Sequence, residues 1–309
     1  MAYEIQHFSF LSSNKKDTIQ GKMYLPSGRE ILGAVQVSHG MVEYFDRYEE
    51  LCAFLAEKGF LVTGHDHLGH GATASCPEDL GFFGEKNGYV YLIQDLLLHT
   101  KFVKEAFPGL PHFLLGHSMG SFIARCYMAK YGGELSGVLL SGTGGPRPTS
   151  RAEIMAADAV CRTKGPRCRS AVLDHLAFGS FNRRFEGFTG CEWLSRDTEK
   201  VLAYSEDPLC TFKFTAAAFR DLCTLIYYAN DPRGLRQVPR DLPVLFFSGD
   251  MDPVGNYGKG PAEAARALKK AGLFDVTCKL YPGGRHEMLN ETCRAEVQED
   301  LYRWLIHRV

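Results

Sequence analysis

The sequence predicts an α/β fold: a mostly parallel central sheet flanked by helices, with a helical cap insertion. Three observations point to it. Short apolar runs alternate with stretches of helical period from Gly33 to Leu140. The alternation stops at Gly144-Gly145-Pro146, and no strand pattern returns before about Pro232. It resumes at Val244 and continues to the end of the chain. Strands covered on both faces read as continuous apolar runs, which is the pattern of a parallel sheet sandwiched between helices.

Element by element, Glu4 to Leu11 and Thr18 to Leu25 read as a hairpin around a polar turn. Gly33 to Ser38 is a Val-rich strand ending at His39-Gly40, and Tyr48 to Lys58 a helix stopped by Gly59. Phe60 to Thr63 is the next strand, Tyr89 to Ala106 a long amphipathic helix, Phe113 to Leu115 a strand, Ser118 to Tyr131 a helix and Gly137 to Leu140 a strand. After the insertion come a strand at Val244 to Ser248, a helix at Gly260 to Ala271, a strand at Val276 to Tyr281 and a closing helix at Thr292 to Arg308. The expected organisation is a core from 1–145, a cap from 146–232 and the rest of the core from 233–309. A cap in that place lies over the carboxyl ends of the strands, where open α/β sheets bind ligands.

Composition narrows the function. The chain has 309 residues, 45% apolar and 23% charged, with a net charge of −1. Nothing in that balance attracts nucleic acid or an anionic membrane globally, and no nucleic-acid partner is expected. The ten cysteines are scattered with no C-x-x-C pair, so neither a zinc knuckle nor a redox motif is visible. The first residues lack the pattern of a secretory signal, and no run approaches the roughly 20 apolar residues of a spanning helix. A cytoplasmic protein with reduced thiols is the expectation. Oligomeric state cannot be read from the sequence.

The chemistry starts at Gly116-His117-Ser118-Met119-Gly120, which follows a buried strand and opens a helix. A G-x-S-x-G string in that context is a nucleophile elbow: a sharp turn exposes the serine hydroxyl, and the helix N-terminus faces developing negative charge. The bland alternative is a glycine-rich turn. A serine needs a base, and His286, past the last strand in Gly283-Gly284-Arg285-His286-Glu287, is the candidate. The imidazole needs a carboxylate. Gly249-Asp250-Met251-Asp252-Pro253 offers two, with Asp252 favoured and Asp250 the rival. The order Ser118, Asp252, His286 is the one this kind of elbow requires. Oxyanion donors are expected from the backbone N–H of Met119 and of Met41, the latter in the loop after the first parallel strand.

Two other motifs are read as structural. His65-Asp66-His67-Leu68-Gly69-His70 has residue types that suit zinc, but it follows a strand and has the look of a structural D-x-x-G-x-G loop, so no metal is expected. No G-x-G-x-x-G follows the first parallel strand, so dinucleotide binding is not expected.

Taken together, His39-Gly40-Met41-Val42-Glu43 with Arg47-Tyr48, Asp66 to Gly71, Gly116 to Gly120, Asp207-Pro208-Leu209, Gly249 to Pro253 and Gly284-Arg285-His286 resemble the monoacylglycerol lipase and lysophospholipase branch of the α/β-hydrolases, which includes serine aminopeptidase-type sequences. The resemblance spans the core and touches the insertion once. It implies a helical cap over the site and ester hydrolysis without a cofactor. Two departures stand out: Met41-Val42 are bulky where such lipases often have small residues, and Ser121 stands where a second glycine is common after the elbow.

The expected substrate is therefore a lipid-like monoester, a monoacylglycerol or lysophospholipid. The insertion's aromatics, among them Phe178, Phe181, Trp193, Phe212 and Phe219, divide between the cap's own packing and an acyl tunnel. Residues 147–184 hold eight Lys/Arg against three Asp/Glu, a solvated face or a transient contact with a membrane surface. Two alternatives remain. An aminopeptidase or amidase on the same triad would use one of Glu153, Asp158, Asp174, Glu186, Glu192 or Glu206 to hold a free amine. A ligand-binding protein would use the fold without turnover.

Overall fold

The computed structural model describes residues 2–309. Two antiparallel strands, β1 (Tyr3–Leu11) and β2 (Thr18–Pro26), open the chain, followed by β3 (Gly33–Ser38), α1 (Glu49–Glu57), β4 (Phe60–His65) and α2 (Gly88–Ala106). Then come β5 (His112–His117), α3 (Met119–Tyr131) and β6 (Gly137–Ser141). Five helices separate β6 from the next strand: α4 (Ser150–Lys164), α5 (Ala171–Phe178), α6 (Thr198–Glu206), α7 (Ala216–Ala229) and α8 (Pro232–Leu235). The chain closes with β7 (Val244–Gly249), α9 (Lys259–Ala271), β8 (Val276–Tyr281) and α10 (Arg294–Ile306).

The strands form one eight-stranded sheet in the order β1-β2-β4-β3-β5-β6-β7-β8. From β4 onward every neighbour pair is parallel, and only the first hairpin and its junction with β4 are antiparallel. Every residue of β3, β4, β5, β6 and β7 is buried, as their continuous apolar sequences require. β5 shows how the two faces are filled. Leu114 packs with Leu92, Leu96 and Ile123 of α2 and α3, while Phe113 and Leu115 pack with Leu51 and Leu55 of α1 and Leu301 and Trp304 of α10.

The chain runs from β3 outward to β4, then doubles back past β3 to β5. The loops after β3 and β5 therefore diverge at a switch point, where a crevice opens beyond the carboxyl ends of the strands. Element boundaries move by a few residues from those expected. The consequential shift is at Ser118, expected as the first residue of a helix: it lies outside α3, in a backbone conformation no helix admits.

Candidate active site

β5 enters α3 through Ser118, whose φ of 50° and ψ of −117° are rare for a residue with a side chain. The surroundings enforce this. The Ser118 N–H donates to the Ser141 carbonyl at 2.9 Å, and the Ser121 hydroxyl donates to the Ser118 carbonyl at 2.6 Å. Ser121, one of the departures, thus acts as a strut. The elbow glycines are sterically required: a Cβ on Gly120 would overlap the Ser38 and His39 carbonyls, and one on Gly116 would overlap the backbone of Gly120.

His286 and Asp252 come from the loops after β8 and β7. His286 Nδ1 lies 3.0 Å from Asp252 Oδ1, and both side chains are buried. Asp252 also accepts the Val254 N–H at 2.9 Å and the Ser248 hydroxyl at 3.3 Å. Asp250 instead accepts the Gly283 N–H at 2.7 Å, tying the two loops together. With its Nδ1 proton directed at Asp252, His286 presents Nε2 as an acceptor. Burial works to lower the imidazole's pKa, but the carboxylates of Asp252, Glu287 and Glu43 outweigh it and raise the pKa. Gly142, at φ 56°, makes room: a Cβ there would lie 2.8 Å from His286 Cε1. Ser118, His286, Met41 and Met119 line one cavity of about 1190 Å³.

The loop after β3 is held from three sides. The Gly40 N–H donates to Glu43, and the Val42 N–H donates to His70 Nε2 at 3.2 Å. His39 Nδ1 donates to the Gly40 carbonyl at 2.8 Å, while its Nε2 accepts the His67 N–H at 2.9 Å. Val42, a β-branched residue at φ 56°, is held in the left-handed region by this arrangement. With its two neighbours engaged, Met41 carries the free amide of the three. Met119 is the first residue of α3, whose leading N–H groups have no acceptor within the helix.

The sequence profile of the family described as serine aminopeptidase, S33, matches residues 29–293. The chain belongs to this hydrolase family. Its fold is that of the α/β-hydrolases: a thermostable carboxyl esterase from Bacillus coagulans, solved in complex with glycerol, superposes with a TM-score of 0.92 at 33% identity, covering 100% of this chain and 99% of that one. Monoglyceride lipase of Homo sapiens is 30% identical over 82% of this chain and 75% of its own. Monoacylglycerol lipase of Mycolicibacterium smegmatis is 29% identical over 89% and 88%.

The S33 hydrolase holds a buried ionic cluster beside His286 whose members come from segments far apart in the sequence and carry no role there. Arg47 makes two 2.7 Å hydrogen bonds to Glu287 and one of 2.8 Å to Glu43. The Tyr48 hydroxyl donates to Glu43 at 2.8 Å, and the Tyr204 ring from α6 covers the guanidinium at 4.7 Å. Burial works to raise the pKa of both carboxyls. Bidentate Arg47 overcomes it at Glu287, held at about 2, whereas Glu43 stays raised. The visible signals were the Glu43/Arg47 spacing of four and an acid adjoining the candidate base.

The histidine-rich segment is committed to structure. Asp66 accepts the N–H groups of Phe45 at 2.9 Å and Ala72 at 2.7 Å. His67 Nε2 pairs with Ser38 at 2.9 Å, His65 Nδ1 with His99 Nδ1 at 2.9 Å, and His70 donates to the Leu68 carbonyl at 3.0 Å. Among the described residues no group of three or more His, Cys, Asp or Glu is placed to hold a metal. Of the six acids considered for binding an amine, only Glu153 and Asp174 line the cavity. Arg147 pairs with the first at 3.3 Å and Lys213 with the second at 3.6 Å.

Proposed function

We propose that this hydrolase is a serine-dependent carboxylic ester hydrolase acting on lipid-like monoesters, a monoacylglycerol or lysophospholipid, through an acyl-enzyme. The observation that carries the reading is a serine strained to positive φ on an elbow, sharing one cavity with an imidazole 3.0 Å from a buried carboxylate. Ser118 Oγ attacks the ester carbonyl while His286 Nε2 takes its proton. The N–H groups of Met41 and Met119 receive the oxyanion. Its collapse expels the alcohol, which leaves with the proton from His286, and Ser118 remains acylated. Water then gives a proton to His286 and attacks the acyl carbon, releasing the acid and returning the proton to Ser118. Asp252 fixes the imidazole tautomer and stabilises the imidazolium. Glu287 and Glu43 act in the same direction electrostatically.

The substrate class is supported by the relatives' monoacylglycerol lipase and esterase activities and by the cavity itself. Leu173, Phe178, Phe219, Leu222 and Ile226 line it, an apolar surface suited to an acyl chain. In this reading residues 146–232 form the cap. No helix among the described residues is long and apolar enough to cross a membrane. Contact with a lipid surface would instead use the exposed Met155, Val172 and Leu176 of α4 and α5, set among the basic residues of 147–184. Against the aminopeptidase reading, both cavity-lining acids of the insertion already have cationic partners.

The test is hydrolysis of p-nitrophenyl esters of increasing chain length, a monoacylglycerol, a lysophospholipid and a proline amide, by wild type and Ser118→Ala. The expected result is ester turnover with a chain-length preference, abolished on the order of 10⁴-fold or more in the variant. Turnover of the amide alone would install the peptidase reading. Absence of turnover together with absence of fluorophosphonate labelling would install a binding role.

A further inference from the structure

The four-helix stretch from α4 to α7 meets the sheet at two chain crossings, Thr143–Gly145 after β6 and Ala229–Asn230 at the end of α7. One side chain holds both. Arg125, about two turns into α3 from the elbow, is 1% exposed. Its Nη1 donates to the Gly144 carbonyl at 2.8 Å and the Thr143 hydroxyl at 3.3 Å. Its Nη2 donates to the Ala229 carbonyl at 2.8 Å and Asn230 Oδ1 at 2.7 Å. Asn230 Nδ2 in turn reaches the Gly145 carbonyl at 3.4 Å. Among the described residues no carboxylate pairs with Arg125, and its Nε has no partner.

A guanidinium buried without a counter-ion is costly, and an apolar side chain would fill the same space more cheaply. What arginine alone supplies is a rigid planar fork that fixes two backbone segments at once. Part of the charge is answered by the Ala229 carbonyl, at the negative end of α7. Phe122, whose ring lies 6.0 Å from the guanidinium carbon, lines the cavity, as do Gly144, Gly145 and Ile226. A shift at either crossing therefore moves the cavity wall.

We propose that Arg125 is the clasp that seats the insertion over the site. It is a positioning residue for substrates long enough to reach that wall, and it touches neither substrate nor reacting atoms. Its kinetic readout rests on the ester-hydrolase reading, whereas its exchange readout needs no substrate.

The experiment compares wild type, Arg125→Met and Arg125→Lys by hydrogen exchange and by kinetics on p-nitrophenyl acetate and dodecanoate. In Arg125→Met, exchange should quicken about tenfold or more at residues 143–146, at 226–231 and across α4 and α5, with the amides of β3 to β7 unchanged. KM for the dodecanoate should rise, while kcat for the acetate stays within about twofold of wild type. Arg125→Lys should recover only part of the protection, since a single ammonium cannot span both crossings. Exchange that quickens evenly through the sheet, or nowhere, overturns the proposal, as does an equal KM rise for both esters. If Arg125→Met fails to fold, Asn230→Leu should show the same regional pattern at lower amplitude, and wild-type exchange in that variant overturns the clasp. Failure of the ester reading would leave the exchange result standing, so the two failures are distinguishable.

Discussion

The two walls of the cavity are built on opposite principles. The inner wall consists of loops at the strand ends, plus a stretch of the insertion sewn to them. There the His286 N–H donates to the Trp193 carbonyl at 3.3 Å and the Glu287 N–H to the Leu194 carbonyl at 2.8 Å. Arg285 donates to the carbonyls of Glu192 at 2.5 Å and Ser195 at 3.0 Å, and the Trp193 ring lies 4.9 Å from that of His286. The outer wall is α4 and α5, where α5 buries Leu173 alone and α4 buries Ser150 and Ala157. Met155, Val172 and Leu176 there are 72%, 68% and 70% exposed. The difference separates two demands. Chemistry needs groups held to a fraction of an ångström, which saturated polar networks supply. An acyl chain needs a surface that can adapt, and sparse burial leaves one.

The strongest way to break the inner wall is Arg47→Met. Glu43 and Glu287 would then face each other in the interior with no cation. Removing one partner of a buried ion cluster costs about 3–5 kcal/mol, and displacing a reacting group by 1 Å costs about a hundredfold in rate. A fall of that size in kcat for a short ester, with a lowered urea midpoint, is the expected outcome. Wild-type rate and stability together would remove the cluster from the site's support.

Acid should act on the same wall. Burial lowers the pKa of His39, His67, His99 and His117, of His65 to about 3, and of His70 and His112 to about 4. Each of these imidazoles is neutral in the fold and protonates near 6.5 when unfolded. Their contribution is therefore complete above pH 6.5 and declines as pH falls toward the folded values, by about 1.4 kcal/mol per pH unit for each uncompensated imidazole. Four buried carboxyls work the other way: burial raises Glu43, Asp95, Asp66 to about 6 and Asp221 to about 7, so each favours the fold as pH falls through that range. The seven imidazoles prevail, and the urea midpoint should fall between pH 7 and 5. A flat midpoint across that range would show that these side chains are not buried as neutral bases. Activity should be lost before stability, because His286, whose pKa the carboxylates of Asp252, Glu287 and Glu43 raise, must be neutral to take the Ser118 proton, whereas His70 keeps accepting the Val42 N–H until the pH nears 4.

How much of this was legible in the chain follows the same division. The sheet, the insertion and the elbow could be read because each is written in adjacent residues: continuous apolar strands, their absence from 142 to 243, and glycines two positions either side of Ser118. The preference for Asp252 over Asp250 rested on loop position, and the structure brings Asp252 to His286 while Asp250 braces Gly283. What escaped was every contact that only folding creates. Arg47 and Glu287 are 240 positions apart. Arg125, inside a helical stretch, reads as one more charged surface residue. The segment from His65 to His70 gave no hint that His39 and His99 complete its packing. Pairings of this kind have no local signature, because what selects them is the cost of leaving a buried polar group without a partner.

The outer wall yields the smallest effect and the cleanest contrast. Met155→Ser combined with Val172→Ser replaces two side chains that face solvent and do not line the cavity, so stability should stay within about 0.5 kcal/mol of wild type. Hydrolysis of a short soluble ester should not change. If α4 and α5 meet a lipid surface, the loss appears elsewhere: each apolar side chain no longer buried in lipid is worth about 1.5–3 kcal/mol at full burial. Partial burial would still weaken binding to vesicles containing anionic lipid by about tenfold, since 1.4 kcal/mol is a factor of ten. Turnover of a monoacylglycerol presented in those vesicles should fall in step, while the same lipid dispersed in detergent is hydrolysed at the wild-type rate. Equal vesicle binding by wild type and the double variant would assign these exposed residues to solvent and leave only the inner wall with a demonstrable task. A loss of short-ester activity would overturn the contrast itself, because it would mean that the outer helices hold the reacting groups after all.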